Sequence, residues 1–179
     1  NNEISVFRPD AIDEIVSTIK KSTAENTKDV DIFVASVNWG ESLDFEAKRK
    51  LARDLVDKAN IDIVWGHHPG PFEGLEVYKK SLIVYNTGRA MLSRNSDDDG
   101  INSLVVRTHV GKQGVYWAEI QPILLSPGRS RIGMGQKETY EVINRLTAMS
   151  AELGTEVKNE FGRGIIEILP VGLQNSQNS

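Results

Sequence analysis

Apolar residues recur along this chain in two rhythms. Ile12, Ile15, Val16 and Ile19 fall three or four apart behind Pro9-Asp10, and predict a helix that runs to Lys21. Phe45, Leu51, Ala52, Leu55, Val56 and Ala59 repeat that spacing over residues 45–59, with Lys48, Arg49, Lys50, Arg53 and Asp54 on the opposite, solvent-facing side. Tyr140, Ile143, Leu146 and Met149 mark a third helix over residues 136–153. The second rhythm is that of strands. Residues 30–37 (VDIFVASV) and 61–65 (IDIVW) are short, β-rich and nearly continuously apolar, as in a sheet covered on both faces. With the helix between them they have the size of a right-handed βαβ unit with parallel strands. Residues 75–78 and 82–85 flank Lys79-Lys80-Ser81 as a tight hairpin. Residues 102–110 and 115–125, joined at Gly111-Lys112-Gln113-Gly114, predict a longer antiparallel pair, and residues 165–169 a last strand after Gly162. Residues 22–29 and 88–100 read as polar loops, 126–135 as a glycine-rich connection, and 174–179 as a polar tail.

The pattern is that of an α/β protein, and composition narrows it further. The 179 residues are the usual size of one domain. A hydrophobic fraction of 39% with 26% charged residues excludes a disordered chain. The 21 basic and 25 acidic residues leave a net charge of −4, which argues against a general nucleic-acid binder but leaves room for a local anion site. The absence of Cys excludes disulfides, thiolate metal sites and a Cys nucleophile. No apolar run approaches the roughly 18 residues of a membrane span, and the first residues lack the basic-then-apolar order of a signal peptide.

Open α/β sheets place their chemistry in loops beyond the carboxyl ends of the strands. Three such loops are readable: Asn38-Trp39-Gly40-Glu41, Gly66-His67-His68-Pro69-Gly70 and Asn86-Thr87-Gly88-Arg89. Imidazole is the commonest side-chain metal ligand, so His67 and His68 are candidate ligands. Adjacent residues of an extended chain point opposite ways, so only one of the two faces a site. Asn38 offers an amide oxygen, and Trp39 a pocket wall or a packing group. Glu41 and Glu73 read as solvated loop acids, and Arg89 as an anion contact or a surface ion pair. Arg129 and Arg131 precede the third helix, whose first backbone N–H groups would complete an anion cradle. That stretch is no P-loop, because the Gly-Lys-Ser/Thr ending is missing. Residues 95–100 (NSDDDG) have the opening spacing of a calcium loop, but the twelfth position is Val106, so an exposed acidic turn is the better reading. His109 lies mid-strand and reads as structural.

The run DIFVASVNWGES, followed by ANIDIVWGHHPGPFEGLEVYKKSLIVYNTGR, resembles the CapA family of capsule and poly-γ-glutamate synthesis proteins, relatives of the calcineurin-like metallophosphoesterases. The family pattern runs strand, HWGxE, helix, strand, GHHPH, then a hairpin ending in SLGNF. The segment RLTAMSAELGTEVKNEFGRGIIEI resembles the end of that domain. The resemblance implies part of a metallophosphoesterase-like β-sandwich flanked by helices. It sets the bounds: residues 1–27 a helix and linker, 28–170 the carboxyl-terminal half of the domain, 171–179 a tail. It also implies a bacterial cell-surface setting.

The early GD, NLE and NNHxxD motifs that supply the family's other metal ligands do not occur here. At matched positions Asn38 replaces a His, Gly70 a His, Glu73 a Gln and Arg89 an Asn. The resemblance therefore implies a degenerate metal site that binds a small anionic or polymeric ligand through Trp39, Glu41, Arg89, Arg129 or Arg131. Divalent Mn, Fe or Zn is expected only if an amino-terminal half supplies ligands, and none is expected in this chain alone. The alternative is an active metal-dependent phosphoesterase-like hydrolase completed by that half. Either way a separate chain, the amino-terminal half of the same precursor, is the expected partner, and it is expected to cover the strands at residues 30–37 and 61–65.

Overall fold

A computed structural model describes residues 12–28, 30–40, 43–89, 101–126, 129–132 and 135–169. The chain order is α1 (Ile12–Asn26), β1 (Val34–Asn38), α2 (Phe45–Ala59), β2 (Ile63–His67), β3 (Leu75–Tyr78), β4 (Ser81–Val84), β5 (Ile101–Gly111), β6 (Gly114–Ser126), β7 (Arg129–Ile132), α3 (Gln136–Ala151), β8 (Lys158–Glu160) and β9 (Arg163–Glu167). The first sheet has the order β1-β2-β4-β3. Its β1, β2 and β4 run parallel, and β3 is the antiparallel hairpin partner of β4. The second sheet, β5-β6-β9-β8 with β7 also on β6, is antiparallel throughout.

The α2 sequence produces its own boundaries. Asp44 caps the start by accepting from the Ala47 amide at 2.8 Å, and Asn60 ends the helix in the left-handed region at φ 54°. Its apolar stripe, Leu51, Ala52, Leu55, Val56 and Ala59, packs with Val16 of α1 on Ala35, Val64, Ile83 and Tyr85 of the first sheet. The other face of that sheet presents Leu82 and Val84 to Leu104, Val106, Ala118, Ile120 and Ile166 of the second, and α3 adds Val142 and Leu146. The result is a two-sheet α/β sandwich with helices packed against it.

Several elements differ from the sequence expectation. The polar stretch after Lys21 is helical as far as Asn26, because its side chains bond back onto the helix: Thr23 to the Lys20 carbonyl at 3.0 Å and Asn26 to that of Ser22 at 2.7 Å. The glycine-rich connection contains β7, which pairs with the distal end of the long β6. β8 forms as a three-residue edge strand against β9. Among the described residues β1 is an edge strand as well, and they do not cover it on both faces: Ala35 is buried while Val34 is 57% exposed.

The outer face of α2 is the largest departure. Lys48 is buried, and Arg49 and Arg53 fold over β3 onto Glu76, which is 1% exposed. Glu76 accepts from Arg53, from the Tyr85 hydroxyl at 2.5 Å, and lies 3.6 Å from Arg49. A carboxylate so deep needs these partners, since unpaired burial of the charge would outweigh the packing gained. It follows that Glu76→Ala, which strands the arginines and the phenol, lowers stability by about 3 kcal/mol in urea unfolding. Burial first, and the Glu76 carboxylate second, push the Tyr85 phenol far above its ordinary value. The unfolded chain then ionises more readily than the folded one, so stability falls as pH rises beyond about 10. In an alkaline titration followed by tyrosinate absorbance, Tyr85 should ionise only together with unfolding.

Candidate functional site

Parallel pairing of β1, β2 and β4 brings their carboxyl ends to one edge of the first sheet. Asn38 and His67, the last residues of β1 and β2, are register partners there. The chain leaves β1 through Trp39, whose backbone N–H donates to the His67 carbonyl at 3.1 Å. The Trp39 ring then turns inward and is fully buried, and its Nε1 donates to the Tyr85 carbonyl oxygen at 2.6 Å. That bond crosses Gly66 so closely that a Cβ there would overlap both the indole nitrogen and the Tyr85 oxygen. Trp39 is therefore a packing residue that ties three strand ends together, and not an open pocket wall.

The two histidines differ in exposure. His67 is exposed, with Nε2 3.1 Å from Ser36 Oγ in a hydrogen bond. His68 is half-buried beside Gly70, and its Nδ1 has no hydrogen-bond partner. Asn38 uses its side-chain oxygen to accept from the Gly40 amide at 3.1 Å. A two-metal centre needs ligands converging on ions roughly 3.5–4 Å apart. Among the described residues no three His, Asp or Glu side chains form such a group, and the nearest donors of Asn38 and His67 are already engaged. These residues do not by themselves fit a paired-metal centre.

Two residues that shape this edge were not singled out from the sequence. Asn86 is 1% exposed, donates to the Pro71 carbonyl at 2.8 Å and accepts from the Gly88 amide at 3.2 Å. Its own carbonyl accepts from the Glu73 amide at 3.0 Å. It thus fixes the His67–Glu73 loop against the end of β4. Lys48 donates to Glu73 at 2.8 Å with only 6% of its side chain exposed, so Glu73 is a structural ion-pair partner and not a solvated loop acid. The sequence signal was faint. A lysine on a helix reads as solvated, and the strand-end Asn differs in no obvious way from any loop Asn.

The other candidates lie elsewhere. Arg89 is exposed just beyond Gly88, at the end of the described segment. Arg129 and Arg131 belong to β7, which pairs with β6 in the second sheet. At the start of α3 the Glu138 carboxylate lies over Gly135, where an added Cβ would meet it. The helix terminus therefore already has an acid of its own chain beside it. Glu41 and the acidic stretch at residues 95–100 lie outside the described residues. His109 stacks on Trp117 with ring centroids 3.5 Å apart. No helix among the described residues is long and apolar enough to cross a membrane.

Residues 2–92 match the family described as bacterial capsule synthesis protein PGA_cap. The chain is 34% identical over 103 residues to the PGA biosynthesis protein CapA of Bacillus subtilis (strain 168), covering 56% of this chain and 27% of that protein. It is 26% identical over 142 residues to the capsule biosynthesis protein CapA of Bacillus anthracis, covering 75% of this chain and 33% of that protein. The chain thus spans about a third or less of the relatives it matches.

The crossing of Trp39 over Gly66 is directly testable. Gly66→Ala places a methyl group where the indole–carbonyl bond runs and should destabilise the protein by about 1–3 kcal/mol, as overpacking does. The loss would be read as a lower melting temperature, accompanied by a change in tryptophan fluorescence as Trp39 leaves its buried site.

Proposed function

As the chain belongs to the bacterial capsule synthesis protein PGA_cap family, we propose that it is the carboxyl-terminal portion of a CapA-like protein, degenerate at the metal site. In this reading it acts as a ligand-binding or accessory module assembled with an amino-terminal half. The observation that carries the reading is the donor set at the strand ends. Asn38 and Gly70 stand where the family pattern has histidines, and the Asn38 oxygen is spent on its own loop. His67 and His68 remain, one exposed and one half-buried, which is fewer ligands than a pair of ions requires.

The open flank of the first sheet supports the partner. Among the described residues β1 has a neighbour on one side only, and Val30 and Val34 are 40% and 57% exposed. An edge strand with apolar side chains invites pairing by another strand. The relatives have two thirds or more of their length beyond the matched part, which is ample to supply one. Ligand binding at the strand ends would then use groups from both halves, with Arg89 as the cationic contribution of this chain.

The second reading, an active metal-dependent hydrolase, is supported by the retained His67-His68 pair on a loop fixed by Asn86. Metal analysis of the whole protein, with assay on a generic phosphodiester, separates the two. The degenerate module should carry less than one equivalent of Mn, Fe or Zn and leave the ester intact. Two equivalents together with hydrolysis, lost on His67→Ala, would establish the enzyme instead.

A further inference from the structure

A concavity among the described residues lies away from the strand ends of the first sheet. It is an open trough of about 1140 Å³ on the outer face of the second sheet, along β9 and its neighbours. Trp117, Glu119, Glu160, Phe161, Arg163 and Glu167 are among its lining residues. We propose that this trough binds a neutral, polyhydroxylated polymer, a glycan strand. The proposal is independent of the reading of the metal site, which concerns the other sheet.

Three observations support it. The first is the aromatic platform. His109 on β5 and Trp117 on β6 are cross-strand partners with nearly parallel rings, 6° apart in plane. The stack fixes the indole before any ligand arrives, so little rotamer entropy remains to be lost on binding. His109 Nε2 has no hydrogen-bond partner among the described residues. A flat, immobilised indole suits the apolar C–H face of a sugar ring.

The second is Phe161. It lies in the β8–β9 turn at φ 53°, followed by Gly162 at φ 81°, the backbone of a turn that favours Asn-Gly. A bulky side chain in the left-handed region is an outlier. Phe161 is also 99% exposed, so it contributes no packing that would offset the strain. Strain of this kind, held where the fold gains nothing, points to contact with something outside the chain. From Phe161 to Glu167 the strand spans about 20 Å, long enough for several residues of a linear polymer.

The third is charge, and it selects the class of ligand. Three carboxylates, Glu119, Glu160 and Glu167, line the trough with the guanidinium of Arg163, and Lys158 pairs with Glu167 at 3.0 Å. That guanidinium is already engaged, 2.8 Å from Glu119, which also pairs with Arg107 at 3.3 Å. With bases set against these acids the lining is nearly balanced in charge, and it offers a polyanion no net attraction. A protein partner is also disfavoured, because the centres of protein interfaces are depleted in charge, and here Glu119 with its arginines sits beside the indole. Carboxylates and a guanidinium held in place by each other are well suited to pairs of hydroxyl groups, which both donate and accept.

The test is titration calorimetry of the whole protein that carries these residues against chitohexaose and cellohexaose, with poly-γ-glutamate as the polyanion. Saturable binding to at least one of the two neutral oligosaccharides is expected. Trp117→Ala should weaken it about tenfold and Trp117→Phe much less. Phe161→Ser should weaken it with no change in melting temperature, since the side chain packs on nothing. The proposal is overturned by an absence of saturable binding up to millimolar sugar, or by binding that both Trp117→Ala and Phe161→Ser leave unchanged. Tight binding of poly-γ-glutamate that these substitutions abolish would also overturn it. So would concentration-dependent dimerisation that Phe161→Ser abolishes, which would make the trough an interface between copies.

Discussion

A hydrogen bond from the Trp39 indole to the Tyr85 carbonyl holds the strand ends of the first sheet together. It joins the segment after β1 to the segment after β4, and it passes over Gly66 of β2. Three parallel strands contributed from separate parts of the chain are thereby fixed at the end where their loops emerge. Both groups are buried, so leaving either one unpaired would carry the full desolvation cost of a polar group. The same Tyr85 reaches in the other direction through its hydroxyl to Glu76. One residue thus couples the strand-end loops to the ionic layer beneath α2. In a parallel sheet, where hydrogen bonding along the strands says nothing about the loops beyond them, such a cross-tie is what gives the loops a defined geometry.

The ionic layer explains how a helix with so polar a face sits so close to the sheet. Lys48, Arg49 and Arg53 of α2 meet Glu73 of the loop after β2 and Glu76 on the α2-facing side of β3. Arg53 also lies over the Tyr78 ring, 4.6 Å from its centroid, so its apolar stem and its charge are both used. Each acid is matched by a base on α2. The helix therefore cannot slide along its axis without separating buried opposite charges. The energetic contribution of such pairs relative to an apolar layer is small, whereas the penalty for misplacing one is large. Their role is register more than adhesion, and register is what the loop after β2 needs, since Glu73 belongs to it.

How much of this was legible in the sequence depends on whether a residue's environment is local. The apolar rhythm located α2, β2, the β3–β4 hairpin and the long β5–β6 pair, because each is decided by neighbours in the chain and by one contiguous core. The three strand-end loops were legible for the same reason: a parallel strand followed by Gly, Pro and His must turn there. Lys48 and Glu76 were not, because their burial is decided by residues 25 and 23 positions away, and neither charge announces a partner. Trp39 was legible as a large ring near the site, but its inward rotation rests on Gly66 leaving room, a relation between two strands. β7 was hidden because its pairing is licensed by the unusual length of β6 and not by its own short, basic sequence. The face of β1 was misjudged for a related reason: a continuous apolar run states that both faces are apolar, not that both are covered.

The two faces of the sandwich also differ in what they can hold. At the strand ends of the first sheet the polar groups are turned on their own chain: Asn38 on Gly40, Asn86 on Pro71 and Gly88, Glu73 on Lys48. Such a set is rigid, yet it offers few free donors or acceptors unless other residues join it. On the outer face of the second sheet the pairs run sideways between neighbouring strands, Arg107 and Arg163 to Glu119, Lys158 to Glu167. Those contacts hold the side chains in the plane of the surface. A carboxylate oriented by a guanidinium still has lone pairs to offer, and an indole braced by an imidazole still has an exposed surface. The second arrangement spreads its paired side chains over a surface, while the first turns its polar groups back on the strand-end loops. That difference follows from topology: parallel strand ends gather loops to a point, whereas an antiparallel face spreads its side chains over an area.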